Sequence, residues 1–192
     1  VHPIGSVTVK YPERLKAKAL LIIPKDFSGY VYKGTGSAVT IPGVPLEKWV
    51  FPVGELSSDL IQKNTPLLFE EVETVTTPPS TSGVKKARYE LILKPSIEYF
   101  NFRPSTNIDS LDLRPSFMIA SWVEIRYKLE VLNSDNSIIF RTVVTGIGTS
   151  KTSPADFASK ASLAKSAEKA VQKGIGLLLN SLYESEELRK SF

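Results

Sequence analysis

The chain's hydrophobic pattern is clearest between Ile119 and Gly148. Val123, Ile125, Tyr127, Leu129 and Val131 fall on one face of an extended segment, and Glu124, Arg126, Lys128 and Glu130 fall on the other. Alternation with period two is the mark of a strand with one buried and one wet face. Asn133-Ser134-Asp135-Asn136-Ser137 supplies turn residues, and Ile138 to Gly146 returns, so the pattern predicts an antiparallel hairpin. A second alternation, in Ala87 to Phe102, sets Tyr89, Leu91 and Leu93 against Arg88, Glu90 and Lys94. Pro95 must bend this strand or lie at a sheet edge, because it cannot donate to a ladder. Shorter extended pieces are expected at Lys16 to Ile23, closed by Pro24, at Phe27 to Lys33, and at Leu67 to Thr76 with Phe69 and Val72 as anchors.

Helical spacing appears twice. Pro52 opens a pattern in which Val53, Leu56 and Leu60 recur at intervals of three and four, and Pro66 ends it near Asn64. Ser153-Pro154-Ala155-Asp156 reads as an N-terminal cap. From there Phe157, Ala161, Ala164, Ala167, Val171, Ile175, Leu178 and Leu182 continue a helix to about Tyr183, a length of roughly 43 Å at 1.5 Å per residue. Its alanine-lined middle suits close contact with a sheet, with Ala164 and Ala167 facing the core. Gly174 and Gly176 weaken it by about 1 kcal/mol each unless a close backbone approach requires them. Ile41 to Pro45, Thr76 to Gly83 and Asn101 to Pro115 are expected as loops, the last as a long hairpin connection. The predicted fold is α+β: a mixed, mainly antiparallel sheet packed on one face by two helices, the C-terminal one long. Residues 1–14 are expected as a tether, 15–183 as one α/β sandwich domain, and 184–192 as a frayed tail.

Composition narrows the chemistry. The 192 residues include no cysteine and one histidine, His2. A thiol nucleophile and a Cys/His metal site are therefore ruled out, and a serine triad would need its base from the chain start. Neither a cofactor nor a metal is expected. The net charge of +4 is spread out, and Lys85, Lys86 and Arg88 are the densest basic spot. Nucleic acid, which wants a concentrated basic stripe with interleaved aromatics, is not an expected partner. Gly34-Thr35-Gly36 lacks the lysine and serine or threonine of a phosphate loop, and Gly146-Ile147-Gly148 lacks the third glycine of a dinucleotide fold. Glu70 and Glu71 are strand neighbours that point to opposite faces, so they cannot share one substrate. Glu98 stands alone on the long strand, and Asp109 and Asp112 lack calcium-loop spacing. A small hydrolase built on these carboxylates is the least favoured reading, and no catalytic residue is assigned.

Two aromatic groups remain. Tyr99, Phe100 and Phe102 end the long strand, and Phe27, Tyr30 and Tyr32 cluster near the start. Strand alternation forbids Tyr99 and Phe100 from sharing one face. Either a second layer covers some of these rings, or they form an exposed patch for a partner, sugar or lipid. Tyr30, Tyr32, Tyr99, Phe100 and Phe102 are the candidate partner surface.

The order of elements, carried by Ala19 to Pro24, Leu56 to Phe69, Tyr89-Glu90-Leu91-Ile92-Leu93, the Ser121 to Thr149 hairpin and the Ala164 to Leu182 helix, resembles small bacterial outer-membrane lipoproteins of the YajG type. More distantly it is similar to the N-terminal domain of TolB. The resemblance implies a non-catalytic α/β sandwich that scaffolds or assists an envelope assembly such as transport, secretion, flagellar or cell-wall machinery. It implies a lipidated cysteine ahead of Val1 that anchors the chain to the outer membrane, in the periplasm or exposed at the surface. Envelope proteins are the implied partners, and self-association is left open. An adhesin that binds sialylated glycans has a comparable layout, so a surface adhesin or lectin-like binder is the alternative.

Overall fold

The computed structural model describes residues 11–35, 48–80, 82–84, 88–108, 117–152 and 161–190. The expected helix start at Ser153 to Asp156, the Ile41 to Pro45 loop, Asp109 and Asp112, and Lys85 and Lys86 lie outside the described residues.

The elements run β1 (Leu15–Ile22), α1 (Lys25–Ser28), β2 (Tyr32–Thr35), β3 (Lys48–Phe51), α2 (Val53–Asn64), a 3-10 turn (Thr65–Leu67), β4 (Phe69–Val75), β5 (Leu91–Ile108), β6 (Phe117–Leu132), β7 (Ile138–Thr152), α3 (Ala161–Glu184) and α4 (Glu186–Arg189). Five strands form one sheet in the order β4-β1-β5-β6-β7, and β2 and β3 form a separate antiparallel pair. β1 runs parallel to β4 and β5, whereas β5, β6 and β7 are antiparallel. The mixed sheet with a long C-terminal helix is the architecture that the two periodicities predict.

One face of the sheet carries the main core. Val123, Ile125, Tyr127, Leu129 and Val131 are all buried there, against Val171, Ile175, Leu178 and Leu182 of α3 and Leu60 and Ile61 of α2. Each fully buried aliphatic side chain contributes about 1.5–3 kcal/mol, so this layer dominates the fold's stability. β1 is covered on both sides. Ala17, Ala19 and Leu21 face the main core, while Leu20 and Ile22 meet Ile92, Val84, Tyr89 and Leu132 in a smaller cluster on the other face.

Helix α3 lies along β6 and β7, and small residues let the backbones touch. A Cβ built on Gly148 would stand 1.9 Å from the Ser166 carbonyl oxygen, and one on Gly146 would stand 2.0 Å from that of Ala170. Gly174 completes the contact, its α-carbon side facing the Tyr127 ring. The Oγ atoms of Ser121 and Ser150 are 2.7 Å apart, and each is within 2.6–2.7 Å of Ser166 Oγ. This three-hydroxyl knot ties the helix to two strands. Ala167 is buried in the same contact, but Ala164 is exposed, one position outside the packed stripe.

Three further expectations change. The segment from Phe27 is not one extended piece, because Lys25–Ser28 forms a helical turn before β2. Asn101 to Ile108 is not a loop but the far half of β5, paired as far as Ile108 with Phe117 of β6. Pro95 and Pro104 are tolerated because β1 pairs with β5 only from Leu91 to Leu93, which leaves β5 an edge on that side further on. The tail beyond Glu184 is not frayed through Arg189. Ser185 Oγ caps α4 by accepting from the Leu188 N–H, and Leu188 is fully buried.

Candidate functional site

The five aromatic residues proposed from the sequence do not form one exposed surface, and a β-bulge is the reason. The β5–β6 register runs Ile97 opposite Tyr127 and then Tyr99 opposite Arg126, so Glu98 is the inserted residue. The insertion moves the helix-side phase from Leu93, Pro95 and Ile97 onto Phe100 and Phe102. Both phenylalanines are buried, and the β2–β3 hairpin covers them. Tyr32 lies 4.8 Å from Phe100, Phe51 lies 5.4 and 5.5 Å from Phe100 and Phe102, and Trp49 lies 5.7 Å from Phe102, centroid to centroid. Phe100 and Phe102 are therefore core residues and not partner contacts. Tyr32 is half-buried in the same cluster. Tyr30 is half-buried beside it, and its carbonyl accepts from the Gly54 N–H at 3.0 Å. Burial, then the neighbouring Tyr32, raises the Tyr30 phenol above its ordinary range.

Tyr99 is the member that stays outside, at 39% exposure, on the face of β5–β6–β7 opposite the helices. The register sets out its surroundings. One row reads Tyr99, Arg126, Thr145. The next toward the far end reads Asn101, Glu124, Ile147, and on the other side Ser96, Lys128, Val143 is followed by Lys94, Glu130, Arg141. The Arg126 guanidinium sits 5.7 Å from the Tyr99 ring centre, a cation–π contact, and 4.0 Å from Glu124. Glu130 forms ion pairs with Lys128 at 3.4 Å and with Arg141 at 2.9 Å. Val143 and Ile147 are 49% and 40% exposed beside this charge pattern. Arg126 thus stands at the centre of an open face, with an aromatic ring, hydroxyl and amide groups, and apolar side chains within one strand spacing. Sequence alternation placed Arg126 and Lys128 on the wet face. It did not join Tyr99 to them, because the bulge has no signature in the residue pattern.

The interior offers other arrangements of polar groups. Tyr127 shares a 2.6 Å hydrogen bond with Ser57 of α2, whose hydroxyl also donates to the Val53 carbonyl at 2.6 Å. Burial raises the Tyr127 phenol well above its ordinary range, against the opposing effect of the Ser57 bond. On the opposite face Tyr89 donates to Glu73. That bond, followed by burial and the carboxylate's charge, moves the Tyr89 phenol up to about 12. Near the chain start, Tyr11 packs on Tyr183 at 4.6 Å and donates to Asn180 Oδ1 at 3.3 Å. These bonds hold elements together. Glu70 and Glu71 are exposed on β4, with Glu71 paired to Lys18 at 3.2 Å, and Glu98 is exposed at the bulge. Gly146 and Gly148 lie in β7 under α3, not in a nucleotide loop. Among the described residues, no three His, Asp or Glu side chains converge as a metal site, and no helix is long and apolar enough to cross a membrane.

The fold is similar to that of a solved bacterial protein. The chain resembles a neuraminyllactose-binding hemagglutinin homolog from Helicobacter pylori, with a TM-score of 0.53 and 12% sequence identity over 96% of this chain and 94% of that one. At that identity the likeness is one of fold. Lipoprotein GNA1162 from Neisseria meningitidis is a looser match, with a TM-score of 0.37 and 10% identity over 88% of this chain and 99% of that one. No protein-family model and no curated protein matches the chain in sequence.

Proposed function

We propose that this chain is a non-catalytic binding protein of the bacterial cell envelope, working through the open face of β5, β6 and β7. The observation that carries this reading is the Tyr99–Arg126 pair, set among Val143, Ile147 and Thr145 on a sheet face that the helices leave uncovered. An arginine over a tyrosine ring brings together two of the residue types enriched in protein-binding hot spots. The partner in this reading is an envelope protein, met by surface complementarity. A lipid anchor ahead of Val1 would hold the domain at the outer membrane, on its periplasmic or outer side.

The same pair supports a second reading, a lectin-like binder of acidic glycans. A guanidinium can take a carboxylate in bidentate fashion while a tyrosine ring packs on the sugar. The fold likeness to a hemagglutinin homolog favours testing it. The experiment is a binding comparison of the native chain with Arg126→Ala and Tyr99→Ala, against envelope extract and against a glycan array that includes sialylated lactose. Under the first reading both variants lose a defined protein partner, and the array stays blank. Glycan binding lost in both variants would replace the first reading with the second. Partner binding unchanged in both variants would show that this face is not the working surface.

A further inference from the structure

The sheet has two outer strands, β4 and β7, and they differ in what they would meet in a copy of themselves. β4 reads Phe69-Glu70-Glu71-Val72-Glu73-Thr74-Val75. Paired antiparallel with its own copy about Val72, it would set Glu71 directly opposite Glu73 twice, which like-charge repulsion disfavours. β7 is 15 residues long, holds no proline, and has Thr145 at its midpoint. Paired with its own copy about Thr145, it would set Val143 opposite Ile147 on both sides of the axis and Thr145 opposite Thr145. Arg141 would face Thr149, so no charges of one sign oppose. On the helix side Val144 would face Gly146 and Thr142 would face Gly148.

The backbone groups of the odd-numbered β7 residues turn outward, and in this register the mate's Arg141 N–H would take over the Thr149 carbonyl from Lys169. Lys169 Nζ donates to the Thr149 carbonyl at 3.3 Å from α3, which places that carbonyl at the open edge. By strand alternation the backbone groups of Ile147, Thr145 and Val143 turn the same way. Among the described residues no strand pairs with them. Long edges of this kind are ordinarily blunted by charge, proline or a bulge. Here the middle of the edge carries Val143, Thr145 and Ile147, with Val143 and Ile147 exposed.

We infer that two copies of this chain join through β7, antiparallel about Thr145, to form a closed two-fold dimer with one continuous sheet. The pairing is isologous, so it ends at two copies and does not grow. Its axis stands perpendicular to the sheet, since Thr145 and its mate point to the same side. Both open faces then lie on one surface, and the dimer presents two Tyr99–Arg126 pairs side by side for bivalent contact. The inference rests on the β7 edge and does not depend on what the open face binds.

Sedimentation of the purified chain across a concentration series tests it, and the expected result is a monomer–dimer equilibrium. Val143→Glu with Ile147→Glu opposes carboxylates across the axis and should give a monomer. Val143→Glu with Ile147→Lys opposes unlike charges and should keep the dimer, and the two double variants differ at one position only. Because the chain lacks cysteine, Thr145→Cys gives a single thiol. Its mate's Cα would be about 5.5 Å away in a hydrogen-bonded antiparallel pair, within disulfide range. It should cross-link on mild oxidation, whereas Val72→Cys on β4 should not. A strictly monomeric native chain, a dimer that survives the Glu/Glu variant, or growth beyond two copies would each overturn the inference.

Discussion

At the residue scale, Gly146 and Gly148 leave the least room for a side chain among the described glycines, where α3 rides on β7. A methyl group on Gly148 would overlap the Ser166 carbonyl, and neither backbone can retreat without breaking the serine knot. Gly148→Ala should lower stability by about 1–3 kcal/mol, as overpacking does, read as a fall in the urea midpoint at unchanged slope. An unchanged midpoint would show that α3 stands off the sheet. The buried phenols give a pH prediction. The Glu73 bond, then burial, pushes the Tyr89 phenol up to about 12 from its ordinary value of 10.0, and burial raises Tyr127 in the same direction. A raised folded pKa means that the folded chain holds its proton longer. The stabilisation is thus complete below about pH 10 and is lost as pH rises through the folded values. Thermal unfolding should move to lower temperature from about pH 10 upward, with a shallower decline in Tyr89→Phe. A flat profile to pH 11 would remove the Glu73–Tyr89 bond as a source of stability.

At the scale of elements, α3 and its cap α4 carry the main test of packing. Ala167 faces the sheet and Ala164 faces water. Ala167→Leu should cost about 1–3 kcal/mol, while Ala164→Leu should stay within about 0.5 kcal/mol of the native chain. Equal losses in chemical denaturation would mean that the helix is rotated from the position described. Leu188 brings the last helical turn onto the body of the protein. Leu188→Ala should destabilise by about 2–5 kcal/mol, as expected for a fully buried leucine. A loss under 0.5 kcal/mol would return this segment to the status of a loose tail.

For the whole molecule, the main core and the proposed binding surface lie on opposite faces of β5, β6 and β7. The helix side holds the core, the aromatic cluster under β2–β3 and the hydroxyl contacts. On the other side the smaller cluster around Leu20, Ile22 and Tyr89 covers the β1 end, and the β5–β7 end presents Tyr99, Arg126 and the charge rows around them. Arg126→Ala should therefore leave the melting temperature within about 2 °C of native, since exposed substitutions away from packed features move stability little. The same variant should lose binding. A large drop in melting temperature would instead make Arg126 a structural residue, held by Glu124 and the Tyr99 ring. Pairing through β7 would double the open face without touching the core.

Local periodicity was enough to determine the β6–β7 hairpin, the α2 boundaries between Pro52 and Asn64, and the buried stripe of α3 from Ala167 to Leu182, because each depends on neighbours a few positions apart. The missing cysteines and the isolated His2 likewise narrowed the chemistry without any fold. Tertiary structure alone decided which rings are outside. One inserted residue, Glu98, reverses the phase of β5, and a shift of one position transfers every later side chain to the other face. It also decided that Asn101 to Ile108 is strand, since pairing with β6 outweighs a proline-containing, polar composition that reads as loop. The Gly146 and Gly148 contact with α3 depends on Ser166 and Ala170, about twenty positions further along the chain. No local pattern records an approach of that range, which exists only once the helix has folded back over the sheet.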